Sequence, residues 1–389
     1  MDPRPHPFQL NMTEIPHQTA LNPRENEHAG ETHPVRQVRN IQVLRGVAAI
    51  AVVLFHIGLW ESKAVGSNGV SPRVFSQGLV GVDLFFVISG FIMAYIQPLP
   101  LDTPRRYARF LAHRFARIYP PLWLVLIPLL VVYFIRPELI NASNNHQVEL
   151  LQSFLCMPQD HLPLLQVAWS LIYEVHFYFV VSIALILRPT YRVLFGIIWF
   201  LMVLGIYCAF WRGDFGGNRW LQVFFSPFSL TFLLGYFIGL WYSCRPASSI
   251  GIALSCGVLA LCGLALAARY MPVDGYYPNI NSLYRFFYYG IPCALLVLGA
   301  VLIENATQLR FVSLRHVGDE SYAIYLLHVP ILATISKGVI AVHSTNPFFL
   351  AGVIVASLRI CIASGTFFHR YAELRVTRLA RRLMEKLID

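Results

Sequence analysis

The sequence predicts an all-α membrane protein, a polytopic bundle of about ten transmembrane helices. Of its 389 residues, 56% are hydrophobic and only 13% are charged. The mean hydropathy of +0.56 is too high for an ordinary soluble enzyme. A hydrocarbon core of about 30 Å requires roughly 18 to 22 apolar residues per helix. Segments of this length lie near residues 41–60, 79–98, 118–135, 167–187, 191–210, 224–243, 250–270, 284–303, 319–340 and 347–368.

Arginine and lysine predict the orientation of these segments, because short cytoplasmic loops carry an excess of both. The connections on the amino-terminal side and the last residues of the chain hold most of the arginines. The opposite connections hold fewer and mix them with acidic residues. Both termini are therefore expected to be cytoplasmic. Attraction to anionic inner-leaflet lipid accounts for the net charge of +10, so membrane lipid is an expected partner and nucleic acid is not.

Composition divides the chain into three regions. Residues 1–38 are rich in polar residues and proline and are expected to form a disordered cytoplasmic tail. Residues 39–370 form the transmembrane domain, and residues 371–389 form a basic cytoplasmic tail. The histidines of the first region are too irregularly spaced to indicate a metal site, and the seven cysteines include no C-x-x-C pattern. No bound metal or cofactor is expected.

The first apolar segment contains Arg45 and His56, which are eleven residues apart. On a helix this offset returns to within about 20° of the same direction and separates the two residues by roughly 16 Å along the axis. They therefore share one face, about half a bilayer apart. Charged groups at membrane depth are costly and usually mark a pathway or a catalytic site. An interfacial arginine and a hydrogen-bonded core histidine are the alternative.

Two carboxylates are expected at the depth of His56. Asp83 lies near the outer start of the second segment, and Glu174 lies deeper in the fourth, which also enters from outside. A histidine beside a carboxylate that sets its tautomer is a general-base arrangement. His56, Glu174 and Asp83 are therefore the candidate catalytic residues. A helix-start acid favoured by the helix dipole is the alternative for Asp83, and a purely structural role is the alternative for Glu174.

A basic run precedes the third segment on the side predicted to be cytoplasmic. Arg114 and Arg117 are three residues apart and so are neighbours on one helix face. Paired guanidinium groups can grip phosphate oxygens through bidentate, charge-assisted hydrogen bonds. A topology anchor that binds lipid phosphate explains the same run, and spacing alone leaves both interpretations open.

Six short motifs follow one another along the chain. They are Arg45-x10-His56, Gly81-Val82-Asp83-Leu84-Phe85-Phe86-Val87-Ile88-Ser89-Gly90-Phe91, Arg114-x2-Arg117-Ile118-Tyr119-Pro120, Trp169-Ser170-Leu171-x2-Glu174-x2-Phe177-Tyr178, Ser321-Tyr322-x-Ile324-Tyr325-Leu326-x-His328-x-Pro330 and Tyr371-x-Glu373 followed by Arg375. In this order the sequence resembles the acyltransferase-3 family of integral membrane acyltransferases. Within that family it resembles the bacterial exopolysaccharide and nodulation-factor O-acetyltransferase branch. The resemblance covers about residues 40 to 380.

The resemblance implies a membrane-bound O-acyltransferase that moves an acyl group, usually acetyl, from cytoplasmic acyl-CoA to a sugar hydroxyl of a surface or exported glycan. His56 matches the family's catalytic histidine, and Arg45, Arg114 and Arg117 match residues linked to the acyl-CoA donor. The acceptor would be a lipid-linked or exported polysaccharide, and the location the bacterial inner membrane. The same motifs supply further candidate site residues: Ser89, Trp169, Ser170, Tyr178, Tyr322 and His328.

The expected mechanism has His56 deprotonate the hydroxyl, oriented by Glu174 or Asp83. Direct transfer and an acyl-histidine intermediate both remain open. A transporter or flippase of a glycan or lipid precursor, without acyl-transfer chemistry, is the alternative function. Such a protein should show inverted repeats with broken helices in matching halves, and the sequence shows no such pattern.

Overall fold

The computed structural model describes residues 38–65, 75–96, 101–140, 145–210, 215–244, 248–270, 282–304, 312–342 and 346–388. Apart from its last residue, the expected disordered tail of residues 1–38 lies outside these ranges. The long helices are α1 (Arg39–Val65), α2 (Val80–Ile96), α3 (Pro104–Ile135), α4 (Trp169–Ile186), α5 (Pro189–Ala209), α6 (Pro227–Cys244), α7 (Ile250–Tyr270), α8 (Ile291–Ile303), α9 (Ser321–Val342), α10 (Pro347–Phe368) and α11 (Leu374–Ile388). Shorter helical pieces are Ser76–Leu79, Pro137–Leu139, Leu150–Leu155, Gln166–Ala168, Arg219–Phe224, Leu283–Arg285, Phe286–Gly290, Val312–Asp319 and His369–Glu373. The described residues contain no β-strand.

Ten of the described helical stretches are long and apolar enough to cross a membrane, which confirms the predicted all-α bundle. Most of their ends lie within a few residues of the predicted ones. The third begins at Pro104 rather than near residue 118, because the side chain of Thr103 caps the helix and the basic run after it is itself helical. The tenth continues past Phe368 through a π-helical turn into α11. The predicted segments stop where charged residues lower the hydropathy. Charged residues do not end a helix, so both helices extend beyond the predicted segments.

Close contact between α2 and α6 forms the centre of the bundle. Gly90 of α2 lies against the backbone of Phe232, while Gly235 and Gly239 of α6 lie against the backbone of Val87 and Phe91. A Cβ at any of the three glycines would overlap a carbonyl oxygen of the facing helix. Glycines four residues apart allow such close approach between membrane helices. The two helices therefore pack backbone to backbone, and this contact fixes the directions in which their other faces point.

The helix that carries Arg45 and His56 is held from two sides. Gly81 of α2 lies against the carbonyl of Ala48, and Gly46 of α1 lies against the carbonyl of Leu314 in the short helix Val312–Asp319. The Glu304 carboxylate accepts hydrogen bonds of 3.0 and 2.9 Å from the first two backbone amides of α1. A carboxylate at a helix N-terminus satisfies otherwise unpaired amides and is favoured by the helix dipole. The rotation of α1 is therefore fixed.

The long helix α3 packs against α11 in its first half and against Leu150–Leu155 near its middle. Tyr119 and Trp123 donate hydrogen bonds of 2.9 Å each to the carbonyls of Leu155 and Phe154. With 32 residues, α3 is roughly 48 Å long, which exceeds the hydrocarbon core. Its basic first half can thus stand at the membrane interface while its second half crosses the membrane.

The glycine contact between α2 and α6 predicts a sharp difference between two Gly→Ala variants. Gly235→Ala should destabilise the protein by about 1–3 kcal/mol, since the new methyl group overlaps the Val87 carbonyl. Gly257→Ala in α7 is the matched control, because open space surrounds that position and alanine is the better helix former. Thermal unfolding of detergent-purified protein measures both. Equal melting temperatures for the two variants would contradict the packing.

Candidate functional site

A cavity of about 590 Å³ lies among α1, α2, α3, α4, α9 and the C-terminal stretch. Its polar lining residues are Gln42, Arg45, Ser89, His113, Arg114, Arg117, Ser170, Glu174, Tyr178, Asp319, Ser321, Tyr322, Tyr325, His369 and Arg381. Phe85, Phe86 and other apolar side chains of α2 complete the wall. One end of the cavity is strongly basic and the interior is largely hydroxyl-bearing and aromatic. Such a space suits an elongated ligand with an anionic end.

The basic end is organised around the carboxylate of Glu373, which is almost completely buried. Its Oε1 accepts a 2.7 Å hydrogen bond from Nη1 of Arg117, and its Oε2 lies 2.7 Å from Nδ1 of His369. His369 and Glu373 belong to the π-helical turn between α10 and α11. Such turns inside α-helices are often found at functional sites. The Arg117 guanidinium also lies over the ring of Tyr322, 5.3 Å from its centroid.

Arg114 lines the same cavity and forms no salt bridge with a carboxylate of the described residues. Its guanidinium carbon lies 5.4 Å from the ring centroid of Phe110 and 5.7 Å from that of Tyr178. Its Nε is buried and has no hydrogen-bond partner among the residues that the structure describes. Arg45 lines the same cavity and donates a 3.1 Å hydrogen bond to Gln42. All three arginines singled out in the sequence therefore face one space.

Glu174 lies in the wall of this cavity. Its Oε1 accepts hydrogen bonds from the hydroxyl groups of Ser89, at 3.0 Å, and Tyr178, at 2.5 Å. Tyr178 is one helical turn beyond Glu174 on α4, while Ser89 comes from α2 across the cavity. Two hydroxyl donors satisfy part of the carboxylate in an environment that excludes most water. Three sequence-predicted residues thus form one hydrogen-bonded group.

The inner wall of the cavity ends at Tyr325. The Tyr325 hydroxyl lies 2.7 Å from Oγ of Ser170 and 2.8 Å from the carbonyl of Val167. Its ring packs against Phe85 on the cavity side and against His328 behind it, with centroid distances of 6.1 and 5.6 Å. His328 therefore lies behind the Tyr325 ring, and neither His328 nor His56 lines the cavity.

His56 and His328 form a buried pair between α1 and α9. Nδ1 of His56 lies 2.9 Å from the carbonyl of Val52 and 3.3 Å from Nε2 of His328. Nδ1 of His328 lies 2.7 Å from the carbonyl of Tyr325. A carbonyl oxygen can only accept a hydrogen bond, so each neutral ring carries its proton on Nδ1. Nε2 of His56 consequently has the free lone pair that a general base requires, and Nε2 of His328 can accept from His56.

Asp83 has a different environment from His56 and Glu174. Its carboxylate receives hydrogen bonds from Arg285, at 3.1 Å from Nε to each carboxylate oxygen and 2.7 Å from Nη2 to Oδ2. Arg285 is 2% exposed and Asp83 is 0% exposed. The Arg285 guanidinium also lies over the ring of Phe228, 5.1 Å from its centroid. This ion pair joins α2 to the start of the α8 segment.

The three ionisable residues that the sequence predicts at one depth have three different partners in the structure. His56 contacts His328, Glu174 contacts Ser89 and Tyr178, and Asp83 contacts Arg285, with no hydrogen bond between His56 and either carboxylate in the described part of the chain. Helix rotation is the reason, because depth along an axis does not determine which neighbour a side chain faces.

The other predicted residues divide between the cavity and the surrounding core. Ser170 and Tyr322 line the cavity, and the Tyr322 hydroxyl donates a 2.8 Å hydrogen bond to the carbonyl of Ile118. Trp169 points into an aromatic cluster instead, with its ring 6.0 Å from Tyr173 and 5.7 Å from Phe228. That cluster also contacts Arg285 through Phe228, so Trp169 supports the wall from behind.

The residues of the site that were not singled out from the sequence include Arg285, Tyr325, His369 and Arg381. Arg285 is an arginine at the start of an apolar segment, and a charged residue in that position is itself a signal of a buried partner. Tyr325 falls within the motif that contains Tyr322 and His328. His369 and Arg381 carry no such signal, because their contribution depends on the helix continuing beyond the apolar part of α10.

The fold and its internal basic cavity define an integral membrane protein with a site enclosed by helices. The chain belongs to the acyltransferase-3 family, because the model of that family, described as an acyltransferase domain, matches residues 38–366. It is therefore a membrane acyltransferase. No solved structure matches the chain.

Among curated relatives, the chain is 28% identical over 312 residues to the exopolysaccharide production protein ExoZ of Rhizobium meliloti, covering 76% of this chain and 90% of that protein. It is 24% identical over 350 residues to the peptidoglycan O-acetyltransferase OatA of Listeria monocytogenes, covering 80% of this chain and 52% of that protein. The O-acetyltransferase OatA of Staphylococcus aureus is 25% identical over 344 residues, with coverages of 78% and 52%. The match thus spans about half the length of the two OatA proteins.

The ion pair between Asp83 and Arg285 predicts a compensating double mutant. Asp83→Leu alone should lower stability by about 3–5 kcal/mol, because it leaves a buried guanidinium without its counter-charge. Asp83→Leu combined with Arg285→Leu should recover most of that loss. Denaturant unfolding of the purified variants measures the difference. A double mutant as unstable as the sum of both single mutants would contradict the pairing.

Proposed function

We propose that this membrane acyltransferase is an O-acyltransferase, and specifically an O-acetyltransferase, that transfers an acyl group from cytoplasmic acyl-CoA to a sugar hydroxyl of a surface or exported glycan. The observation that supports it most is the cavity that leads from Arg114 and Arg117 to Tyr325, whose ring packs against His328, the partner of His56. A phosphate-rich donor can enter such a cavity with its anionic end among the arginines and its thioester foremost.

The dimensions of the site fit this donor. Arg45 and His56 lie on one helix about 16 Å apart along its axis, which is close to the length of an extended pantetheine arm. Arg114 and Arg117 would bind the phosphate groups, which bidentate guanidinium hydrogen bonds suit. Arg45, further along the same wall, would contact the arm. The acyl end would then arrive at Tyr325, and the side chain of Tyr325 must move for the thioester to meet His56.

His56 has the role of the general base in the proposed reaction. Its Nε2 accepts the proton of the sugar hydroxyl while the hydroxyl oxygen bonds to the acyl carbon. The carbon–sulfur bond then breaks, and the proton passes from His56 to the CoA sulfur, which yields the sugar ester and free CoA. His328 is a positioning residue, because its Nε2 accepts from Nδ1–H of His56 and steadies the protonated ring. Attack on the thioester by Nε2 itself would give the acyl-histidine variant of the same step.

The two carboxylates take separate parts in this proposal. Glu174 contacts two hydroxyl groups inside the cavity and is placed to bind a polar part of the donor or the acceptor. Asp83 acts through Arg285 and positions α2, whose other faces carry Phe85 and Ser89. The sequence predicted that one of these carboxylates orients His56. In this proposal His328 orients His56 instead.

The acceptor and the membrane orientation are proposed from the relatives and from the charge pattern. One relative is named for exopolysaccharide production and another for peptidoglycan O-acetylation, which supports a carbohydrate acceptor. The basic end of the cavity lies beside α11, on the arginine-rich side that the positive-inside rule makes cytoplasmic. Both termini would then be cytoplasmic, residues 371–389 would face the inner leaflet, and the protein would reside in the bacterial inner membrane.

The variant His56→Gln provides the most direct mutational test of the proposed chemistry. It should lower acyl transfer by at least about a hundredfold, the usual scale of losing a general base, while the protein still inserts and folds. Transfer of labelled acetyl from acetyl-CoA to surface polysaccharide in purified membranes measures the rate.

His161→Gln is the matched control for this experiment, since His161 lies in a connection outside the spans and away from the cavity. Its activity should equal that of the wild-type protein. Undiminished transfer by well-folded His56→Gln protein would refute the mechanism. Wild-type protein that moves a glycan precursor across vesicles without acylating it would favour the transporter instead.

A further inference from the structure

We infer that α11 forms part of the donor site and that Arg381 binds the 3'-phosphate at the adenosine end of acyl-CoA. This inference rests on the proposed function, since it assigns one further group of the same donor. No motif in the sequence pointed to Arg381, and it is the only residue of α11 that lines the cavity within the described chain.

The position of α11 is fixed at both of its ends by contacts with α3. Before its first turn, Glu373 binds Arg117 of α3 at 2.7 Å. In its last turns, Oε1 of Glu385 lies 2.9 Å from Nε2 of His113, which also belongs to α3. Arg381 lies between these two attachments, so its side chain is held at the opening of the cavity rather than on a free tail.

Spacing along α11 explains why Arg381, rather than another basic residue, faces the cavity. Thr377, Arg381 and Glu385 are four residues apart and therefore share one helix face. Thr377 is buried and Glu385 contacts α3, so this face is the one turned toward the bundle. Arg382 is one position out of register, is exposed and does not line the cavity.

The charges at the opening are unbalanced in a way that favours an anion. Arg114, Arg117 and Arg381 converge there, and two of the nearby carboxylates contact other side chains. Glu373 is bound by Arg117 and His369, and Glu385 by His113. Among the residues that the structure describes, the buried Nε of Arg114 has no hydrogen-bond partner. Like charges held together at a cavity opening are stabilised when a polyanion binds them.

The order of the arginines along the cavity indicates which phosphate of acyl-CoA each of them binds. Arg114 and Arg117 are half-buried and lie deeper in the cavity, where they contact the rings of Tyr178 and Tyr322. Arg381 is exposed at the rim of the cavity opening. In acyl-CoA the pyrophosphate lies between the pantetheine arm and the ribose, and the 3'-phosphate lies on the ribose, further from the thioester. A donor with its thioester toward His56 therefore brings the pyrophosphate to Arg114 and Arg117 and the 3'-phosphate to Arg381.

The experiment compares two donors that differ in this one phosphate. Binding of acetyl-CoA and of 3'-dephospho-acetyl-CoA is measured by equilibrium titration with full-length protein in nanodiscs of zwitterionic lipid. Wild-type protein should bind acetyl-CoA about tenfold more tightly, a typical effect of one charge-assisted pair. Arg381→Gln should abolish this preference by weakening acetyl-CoA alone. Arg382→Gln, with the same charge change on the neighbouring position, should keep it.

Every other outcome contradicts the inference in a recognisable way. A preference that survives in Arg381→Gln, or a loss that is equal for both donors, would overturn the assignment of the 3'-phosphate. The same variants are also compared in nanodiscs of anionic phosphatidylglycerol. If Arg381→Gln weakens only the retention of anionic lipid and leaves donor binding unchanged, Arg381 binds a lipid phosphate instead. Wild-type protein that binds neither donor would refute the proposed function itself.

A second variant guards against a folding artefact. Arg381→Lys keeps the charge but replaces the planar fork with a single ammonium group, so it should retain part of the preference for acetyl-CoA. Thermal unfolding of both variants should match that of Arg382→Gln. A destabilised Arg381→Gln protein together with a fully wild-type preference in Arg381→Lys would indicate a structural role and contradict the donor contact.

Discussion

Charged and strongly polar side chains at membrane depth need partners within the protein, because lipid offers none, and three such pairs in this protein join different helices. Asp83 therefore binds Arg285 between α2 and the α8 segment, and Arg117 binds Glu373 between α3 and the C-terminal stretch. His56 binds His328 between α1 and α9. Each of these pairs joins helices that are distant in the sequence, and together they determine which faces surround the cavity.

The glycine contacts and the polar pairs have complementary effects. Gly90 and Gly235 bring α2 and α6 together at the distance of their backbones, which leaves the opposite face of α2 free to form the cavity wall. The polar pairs then set the rotation of the surrounding helices. A rigid wall matters for transfer chemistry, because a general base contributes only when the reacting atoms are held in line. The cavity of about 590 Å³ thus results from packing that keeps the surrounding helices from sliding past one another.

Hydropathy was sufficient to predict all ten spans, since apolar length is a property of the sequence alone. Side-chain partners were not predictable in the same way. Asp83 and Glu174 have similar depth and chemistry, yet one faces Arg285 and the other faces Ser89, because helix rotation depends on the whole bundle. The eleven-residue spacing of Arg45 and His56 correctly placed them on one helix, but it did not predict the Tyr325 ring between the cavity and His328. The packing of α11 against α3 was not predictable because its charge resembles that of a solvated tail.

A structure of the protein with a non-transferable thioether analogue of acetyl-CoA tests the central claim most directly, namely that one cavity delivers the donor to His56. We expect the phosphates of the analogue beside Arg114 and Arg117 and its acyl end at Tyr325, with the Tyr325 ring displaced from its contact with His328. An analogue bound outside the cavity, or bound with its acyl end among the arginines, would contradict the account.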